Sequence, residues 1–353
     1  MTRQLQLDLE SIEAGLKRWF ERKIPHAHAL SLSPLKTPDM GASNETFSFD
    51  LRWQEAGERK LEKLVVRWAP MRFQLYPKYD MKEQFLLMKR LENTGVPAPK
   101  ARWLVEDESV IGRPFFIMDQ IEGWIPGDNP SYHLAGPIYE GTREYREKIW
   151  WEGVETLARI NTLDWEKTGL EFLGAPKSGT DPIDQHIAYY EKMLRMTEEA
   201  PPPFLEETLV WLKKNRFAPK HVSLCWGDAR LGNLIFHNDR VVGVLDWEQS
   251  LLGDPDSDLA WFLLMDWMLC EGHLMRKSER LKGLPGIEET IAHYQRKTNR
   301  EVENFFYHDV FATWRIAVIM HRAAEDFKTT GYHLSDTDVY GPLRKRLTGL
   351  LGL

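Results

Sequence analysis

Asp228, Asn233 and Asp246 are the residues of this 353-residue chain whose types and spacing best suit chemistry. Asp228 follows a short apolar run, Asn233 comes five residues later, and Asp246 ends the run VVGVLD thirteen residues after that. The turn-prone HNDR between LGNLIFHN and RVVGVLDW predicts a β-hairpin, so Asn233 and Asp246 should approach each other across its open end. An amide oxygen and a carboxylate are hard ligands of the kind magnesium takes beside substrate phosphates and water. Asp228 can accept the proton of an attacking hydroxyl and hold that oxygen in line with a phosphorus. Arg230 could neutralise a phosphoryl group in transit, or simply salt-bridge a neighbouring carboxylate. The set suits transfer of the γ-phosphoryl group of Mg-ATP to a hydroxyl.

The elements that must position these residues fall into two groups. Residues 8–22 carry Leu9, Ile12, Leu16 and Trp19 at helical spacing. Strand-like segments follow: SLSPLKT, then ETFSFDLRW with Phe47, Phe49 and Leu51 alternating with polar neighbours, then KLVVRWA. QEAGE at 54–58 reads as a hairpin turn, and 80–93 as a helix. The loop TGVPAPK enters a further strand, and PFFIMDQIEG is dense enough in apolar residues to be a buried one. From Trp124 the character changes. GWIPGDNPSYHLAGP is a connector, and helical patterns then dominate at 143–163, 183–198, 203–215, 256–270, 286–298 and 301–327. The expected architecture is α+β, a small antiparallel β lobe at 1–123 and a larger, mainly helical lobe at 124–353.

Bulk composition narrows the partners. Hydrophobic residues make up 42% and charged residues 28%, ordinary for a globular protein. A net charge of -7 with mixed signs argues against a nucleic-acid partner, which would favour a concentrated basic face. Cys225 and Cys270 are neither a disulfide framework nor a metal set, and two buried thiols are expected. His26 and His28 lack accompanying ligands and read as solvated. HRAAED at 321–326 reads as an exposed, charged helix face. No apolar run nears the ~20 residues that span a bilayer, and no signal core precedes a small-residue cleavage site. A cytoplasmic protein without membrane insertion is expected, of open oligomeric state.

The segments WGDARLGN and VLDWEQSLLGDPDSDLAW resemble the aminoglycoside phosphotransferase (choline-kinase-like) family of small-molecule kinases. Among its branches, the chain is most similar to the kinase domain associated with acyl-CoA dehydrogenases. The resemblance implies a protein-kinase-like fold with ATP held between the lobes. It implies Asp228 as base, Asn233 and Asp246 as Mg²⁺ ligands, and Asp258 as a brace for the catalytic loop. It aligns a nucleotide loop with Gly41, Ala42, Ser43, Asn44, Glu45 and Thr46, and sets Arg67 where the family has a phosphate-gripping lysine. Glu83 becomes the ion-pair partner of Arg67. Asp119, Gln120 and Ile121 become the hinge at the adenine, with the Ile121 N–H as donor. Three positions depart from the pattern: Trp226 and Asn161, where the family commonly has histidine, and Arg67, a planar fork in place of an ammonium.

Blander readings compete. The Gly41 stretch alone is an ordinary turn, Arg67 alone a strand-end arginine, Glu248 as readily structural as substrate-facing, and Asp254 a turn residue. Trp150, Trp151, Trp261 and Trp267 fall at helical spacings typical of core. Alternative functions are a nucleotide-binding pseudokinase without turnover, an antibiotic-modifying phosphotransferase and a protein-modifying kinase. The last lacks a recognisable Ala-Pro-Glu segment. Trp261, Phe262, Met265, Trp267 and Met268 hint at an apolar acceptor, and the branch resemblance at a hydroxylated acyl or lipid-derived metabolite.

Overall fold

The computed structural model describes residues 8–37, 45–71, 73–177, 179–272, 277–329 and 340–352. Contacts divide the chain into two compact units. The first comprises residues up to Gln74, Tyr79–Lys89 and Pro99–Ile121; the second comprises Leu75–Lys78, Arg90–Ala98 and Glu122–Leu353.

The first unit is an antiparallel sheet with a helix on one face. Its elements are α1 (Leu9–Lys23), β1 (His28–Leu32), β2 (Glu45–Glu55), β3 (Glu58–Trp68), α2 (Met81–Leu91), β4 (Ala101–Val105) and β5 (Phe115–Asp119), with sheet order β1-β2-β3-β5-β4. Strand alternation does what the sequence predicts: Phe47, Phe49, Leu51 and Trp53 are buried on one face of β2. Ile12, Leu16 and Phe20 of α1 pack on them together with Leu64, Val66, Trp68, Phe115 and Ile117. Asp8 caps α1 by accepting from the Ser11 N–H at 3.1 Å. The SLSPLKT strand ends early. β1 stops at Leu32, and beyond Pro34, which has no N–H to give, only an isolated bridge joins Lys36 to Ser48. His28 lies on β1 and, like His26, is exposed.

The second unit holds α3 (Pro137–Glu140), α4 (Arg143–Asn161), α5 (Trp165–Thr168), α6 (Asp181–Arg195), α7 (Pro203–Lys214), β6 (Ser223–Cys225), β7 (Leu234–His237), β8 (Arg240–Val244), β9 (Leu251–Gly253), α8 (Asp256–Met268), α9 (Ile287–Thr298), α10 (Phe305–Thr329) and α11 (Gly341–Leu351). β6 pairs with β9, and β7 with β8. α8 is buried almost all round and packs on α10, which also meets α6, α7 and α11. The expected helix from 301 begins only at Phe305, because Asn304 sits in the left-handed region at φ 52°. The reading of 321–326 as an exposed face is also corrected. His321 is buried, and Arg322 and Glu325, both half-buried, pair one turn apart. Cys225 and Cys270 are free, buried thiols.

Candidate active site

The hairpin β7–β8 turns at Asn238–Asp239, and its register sets Leu234 against Val244. One step further out, the Leu245 N–H donates to the Asn233 carbonyl at 2.9 Å, so Asn233 and Asp246 stand at the same open end. Asp246 is left-handed (φ 56°, ψ 65°), an uncommon state that aspartate tolerates better than most residues. A 3-10 turn, Trp247–Gln249, follows it.

The loop from Trp226 to Asn233 is clamped from several sides. Asp258, on the first turn of α8, accepts from the Trp226 N–H at 2.6 Å and the Gly227 N–H at 2.9 Å. Asn161 donates to the same carboxylate at 2.9 Å and to the Leu224 carbonyl at 3.0 Å, while the Tyr294 hydroxyl donates to its oxygen. Burial pushes the Asp258 carboxyl up, and these donors counter it. Gly227 has φ +89°, and a Cβ there would lie 2.2 Å from the Gln249 carbonyl oxygen, so no other residue fits without a shift. Trp226 donates its indole N–H to the Leu245 carbonyl at 2.7 Å, tying the loop to the residue before Asp246.

Asp228 is thereby surrounded by donors. Its Oδ1 accepts from the Trp261 indole at 2.8 Å. Its Oδ2 accepts from Asn233 Nδ2 at 2.7 Å and from Arg230 Nε at 3.2 Å. Asn233 Nδ2 also donates to the Asp228 carbonyl at 3.0 Å. With two acceptors on its nitrogen, the orientation of the amide is fixed by chemistry. Its oxygen is then left without a donor among the described residues. An amide and a carboxylate residue at the same hairpin end suit a hard divalent cation that completes its shell with phosphates and water. Among the described residues no group of three or more His, Cys, Asp or Glu could hold a metal ion.

Arg230 bridges Asp228 and Asp128, its Nη1 donating to Asp128 Oδ2. Burial opposes its charge, yet the Asp228 and Asp128 carboxylates hold it well above the usual range. Asp128 comes from the connector GWIPGDNPSYHLAGP. Trp124 pairs with Phe236 of β7 through two backbone bonds (2.9 and 2.8 Å) and stacks on its ring, which lays that connector along the hairpin. Further on, Tyr132, His133 and Arg280 all converge on buried Asp266.

Of the other expected site residues, Gly41, Ser43 and Asn44 lie outside the described residues. Thr46, Arg67 and Phe116 occupy one cross-strand row of the first unit's sheet. Glu83 lies in the first turn of α2, whose Phe85 contacts Phe116, and its N–H donates to Asp80 Oδ1 at 2.9 Å. Arg67 is buried. The Asp119 and Gln120 N–H groups are used on Lys100 and Lys63 carbonyls, both at 3.0 Å, whereas the Ile121 N–H has no partner among the described residues. Asp254 is a turn residue in fact: its carboxylate caps the Asp256 N–H at 3.0 Å and meets His308 at 2.9 Å. Sequence reasoning missed Asp128 and the polar role of Trp261, which is core by burial and still contacts Asp228.

Comparison with known proteins matches residues 35–283 to the APH family, described as a phosphotransferase enzyme family. The chain belongs to this family. Curated relatives include mouse acyl-CoA dehydrogenase family member 10, 33% identical over 290 residues, which takes in 80% of this chain and 25% of the relative. Human acyl-CoA dehydrogenase family member 11 is 31% identical over 271 residues, covering 72% of this chain and 31% of that protein. The chain thus spans about a quarter to a third of these relatives. A Ralstonia eutropha protein ascribed to the aminoglycoside phosphotransferases matches with TM-score 0.68 and 25% identity, covering 98% of this chain and 96% of that one. An aminoglycoside phosphotransferase in ternary complex with AMP-PNP and hygromycin B matches with TM-score 0.56 at 14% identity, over 95% of this chain and 97% of its own. The α+β, protein-kinase-like fold follows from these likenesses. Among the described residues, no helix is long and apolar enough to cross a membrane.

Proposed function

We propose that the protein moves the γ-phosphoryl group of ATP to a hydroxyl of a small molecule, with Asp228 as the base. The observation that carries this reading is the lone-pair count at Asp228. A carboxylate offers about four acceptor positions, and Trp261, Asn233 and Arg230 take three. One is left for the acceptor hydroxyl. Taking that proton, Asp228 would leave the hydroxyl oxygen to attack the γ-phosphorus directly, with ADP departing and no phosphoenzyme between. Asn233 and Asp246 would hold Mg²⁺, which when bound supplies positive charge to the phosphate oxygens. Arg230 would add its own charge to the transferring group.

The nucleotide contacts proposed for the first unit are Gly41, Ser43, Asn44 and Thr46 at the phosphates, Arg67 supported by Glu83, and the Asp119–Ile121 hinge. The Ile121 N–H, without a partner among the described residues, supports the adenine contact. For the acceptor we favour a hydroxylated acyl or other lipid-derived metabolite, on the strength of relatives named as acyl-CoA dehydrogenase family members. The test is Mg-dependent ADP formation across hydroxyacyl, sugar and aminoglycoside acceptors. Asp228→Asn should lower turnover about 10²- to 10⁴-fold and leave nucleotide binding intact. Turnover that survives this change would remove Asp228 from the role of base. Nucleotide binding without turnover on any acceptor would favour the pseudokinase reading.

A further inference from the structure

Arg315 is a buried cation near the candidate site. It projects from α10, is 1% exposed, and makes no ion pair among the described residues. Its Nε and Nη1 are buried and reach no acceptor among the described residues. A buried cation with unpaired N–H groups destabilises a fold, and a hydrocarbon of similar volume is often the better choice for stability alone. What Arg315 does touch is the support of Asp228. Its Nη2 donates to the Gly227 carbonyl and to the Tyr190 hydroxyl, each at 2.9 Å. The guanidinium carbon lies over two rings, 4.2 Å from the Trp261 ring centroid and 4.7 Å from that of Tyr190.

We propose that Arg315 is a positioning residue for the base. It acts through two arms. Gly227 directly precedes Asp228 and is held at both ends, its N–H by Asp258 and its carbonyl by Arg315. Trp261 donates its indole N–H to Asp228 Oδ1, and the Arg315 guanidinium sits over that indole, 4.2 Å from its ring centroid. Main chain and carboxylate are thus set by one guanidinium. A second brace carries the same cluster onward: Tyr190 donates to Gln249 Oε1 at 2.6 Å, and Gln249 Nε2 donates to the Tyr76 hydroxyl at 3.0 Å. The planar fork matters because it spreads donors and charge over a wider area than an ammonium, reaching the Gly227 carbonyl while covering the indole. An ammonium cannot do both.

The inference rests on Asp228 being the base, and its test has one readout that does not. In ¹⁵N-labelled protein the Trp261 indole signal, identified by its loss in Trp261→Phe, reports the hydrogen bond to Asp228. Arg315→Lys keeps the charge and should keep nucleotide affinity and melting temperature close to the parent. It should nevertheless move the Trp261 signal and lower kcat by at least about tenfold, as small misplacements of reacting groups do. Trp261→Phe should lower kcat comparably, and the double variant should lose no more than the worse single one. A folded Arg315→Lys protein with the parent's Trp261 signal overturns the proposal. So do losses that multiply in the double variant. If no acceptor is turned over at all, the kinase reading fails separately, and the Trp261 signal in Arg315→Lys and Asp228→Asn still decides whether Arg315 sets that contact.

Discussion

Two hairpins with the same kind of turn do opposite work in this chain. Each turns through two residues of positive φ: Ala56 (50°) and Gly57 (82°) between β2 and β3, Asn238 (48°) and Asp239 (59°) between β7 and β8. That conformation twists the way the flanking strands do. β2 and β3 then pair over eleven residues each, and a row of apolar side chains locks their register, since a slip of one would turn that row to solvent. β7 and β8 run for four and five residues with an irregularity between Ile235 and Phe236. Their register is held from outside, by Trp226 on Leu245, by Trp124 on Phe236, and by the Arg240–Glu152 pair. The long hairpin takes its register from its own packed row, the short one from its neighbours, and the proposed function asks the short one to place two oxygens. A substitution should therefore cost folding energy in one and chemistry in the other.

The largest effect should come from the short hairpin. Asp246→Ala removes a proposed magnesium ligand and is expected to lower kcat at least about 10²-fold. Its melting temperature should fall by only a few degrees, the cost of seating alanine in the left-handed region that Asp246 occupies. Loss of turnover with a matching loss of stability would merge the two hairpins into one class. The long hairpin supplies the converse. Leu51 is fully buried in β2, and Leu51→Ala should cost about 2–5 kcal/mol by urea unfolding. Turnover measured well below the melting temperature should not change.

How much of this was legible beforehand follows the same division. The short hairpin could be read because its turn, Asn233, Asp246 and Asp228 lie within one stretch of sequence, and spacing alone brings them together. The long hairpin was legible from alternation and from the Ala-Gly turn. What stayed hidden depends on distant partners. Asp128 reaches Arg230 across 102 positions and Arg315 reaches Gly227 across 88, and neither sits in a pattern that marks it. β9 was missed because three residues carry no period, and it is a strand only because β6 lies beside it. Asn161, a departure from the family pattern, proved to be satisfied on all sides, which the family comparison alone did not reveal.

A smaller effect lies just past the short hairpin, where Asp256 begins α8. Burial and then the neighbouring Asp254 charge push its carboxyl from 3.8 up to about 6. Between those values the folded chain binds more protons than the unfolded one. Stability therefore falls as pH rises through that window, and the cost is constant above it. A shift of that size corresponds to about 3 kcal/mol at neutral pH. Asp256→Asn keeps an oxygen for the Glu303 N–H and removes the charge. Urea unfolding at pH 4.5 and 7.5 should show a weaker pH slope and higher stability at 7.5. An unchanged slope would mean that another group titrates there.

The smallest effect tests the comparison at the turns themselves. Each holds one half of the Asn-Gly pair that best suits two consecutive positive φ values. Ala56→Asn completes the pair in the long hairpin, and Asp239→Gly completes it in the short one. Both relieve a left-handed residue at a cost-free site or nearly so. Asp239→Gly gives up an exposed ion pair with Lys148, of the kind worth about 0–1 kcal/mol. Each variant should gain a few tenths to about 1 kcal/mol, roughly 1–3 °C in melting temperature. Neither should alter kcat, because the turn only has to agree with a register that other contacts already impose. If Asp239→Gly shifts turnover while Ala56→Asn does not, the short hairpin takes its register from its turn. Its outside contacts would then be a consequence of the placement of Asn233 and Asp246, and not its cause.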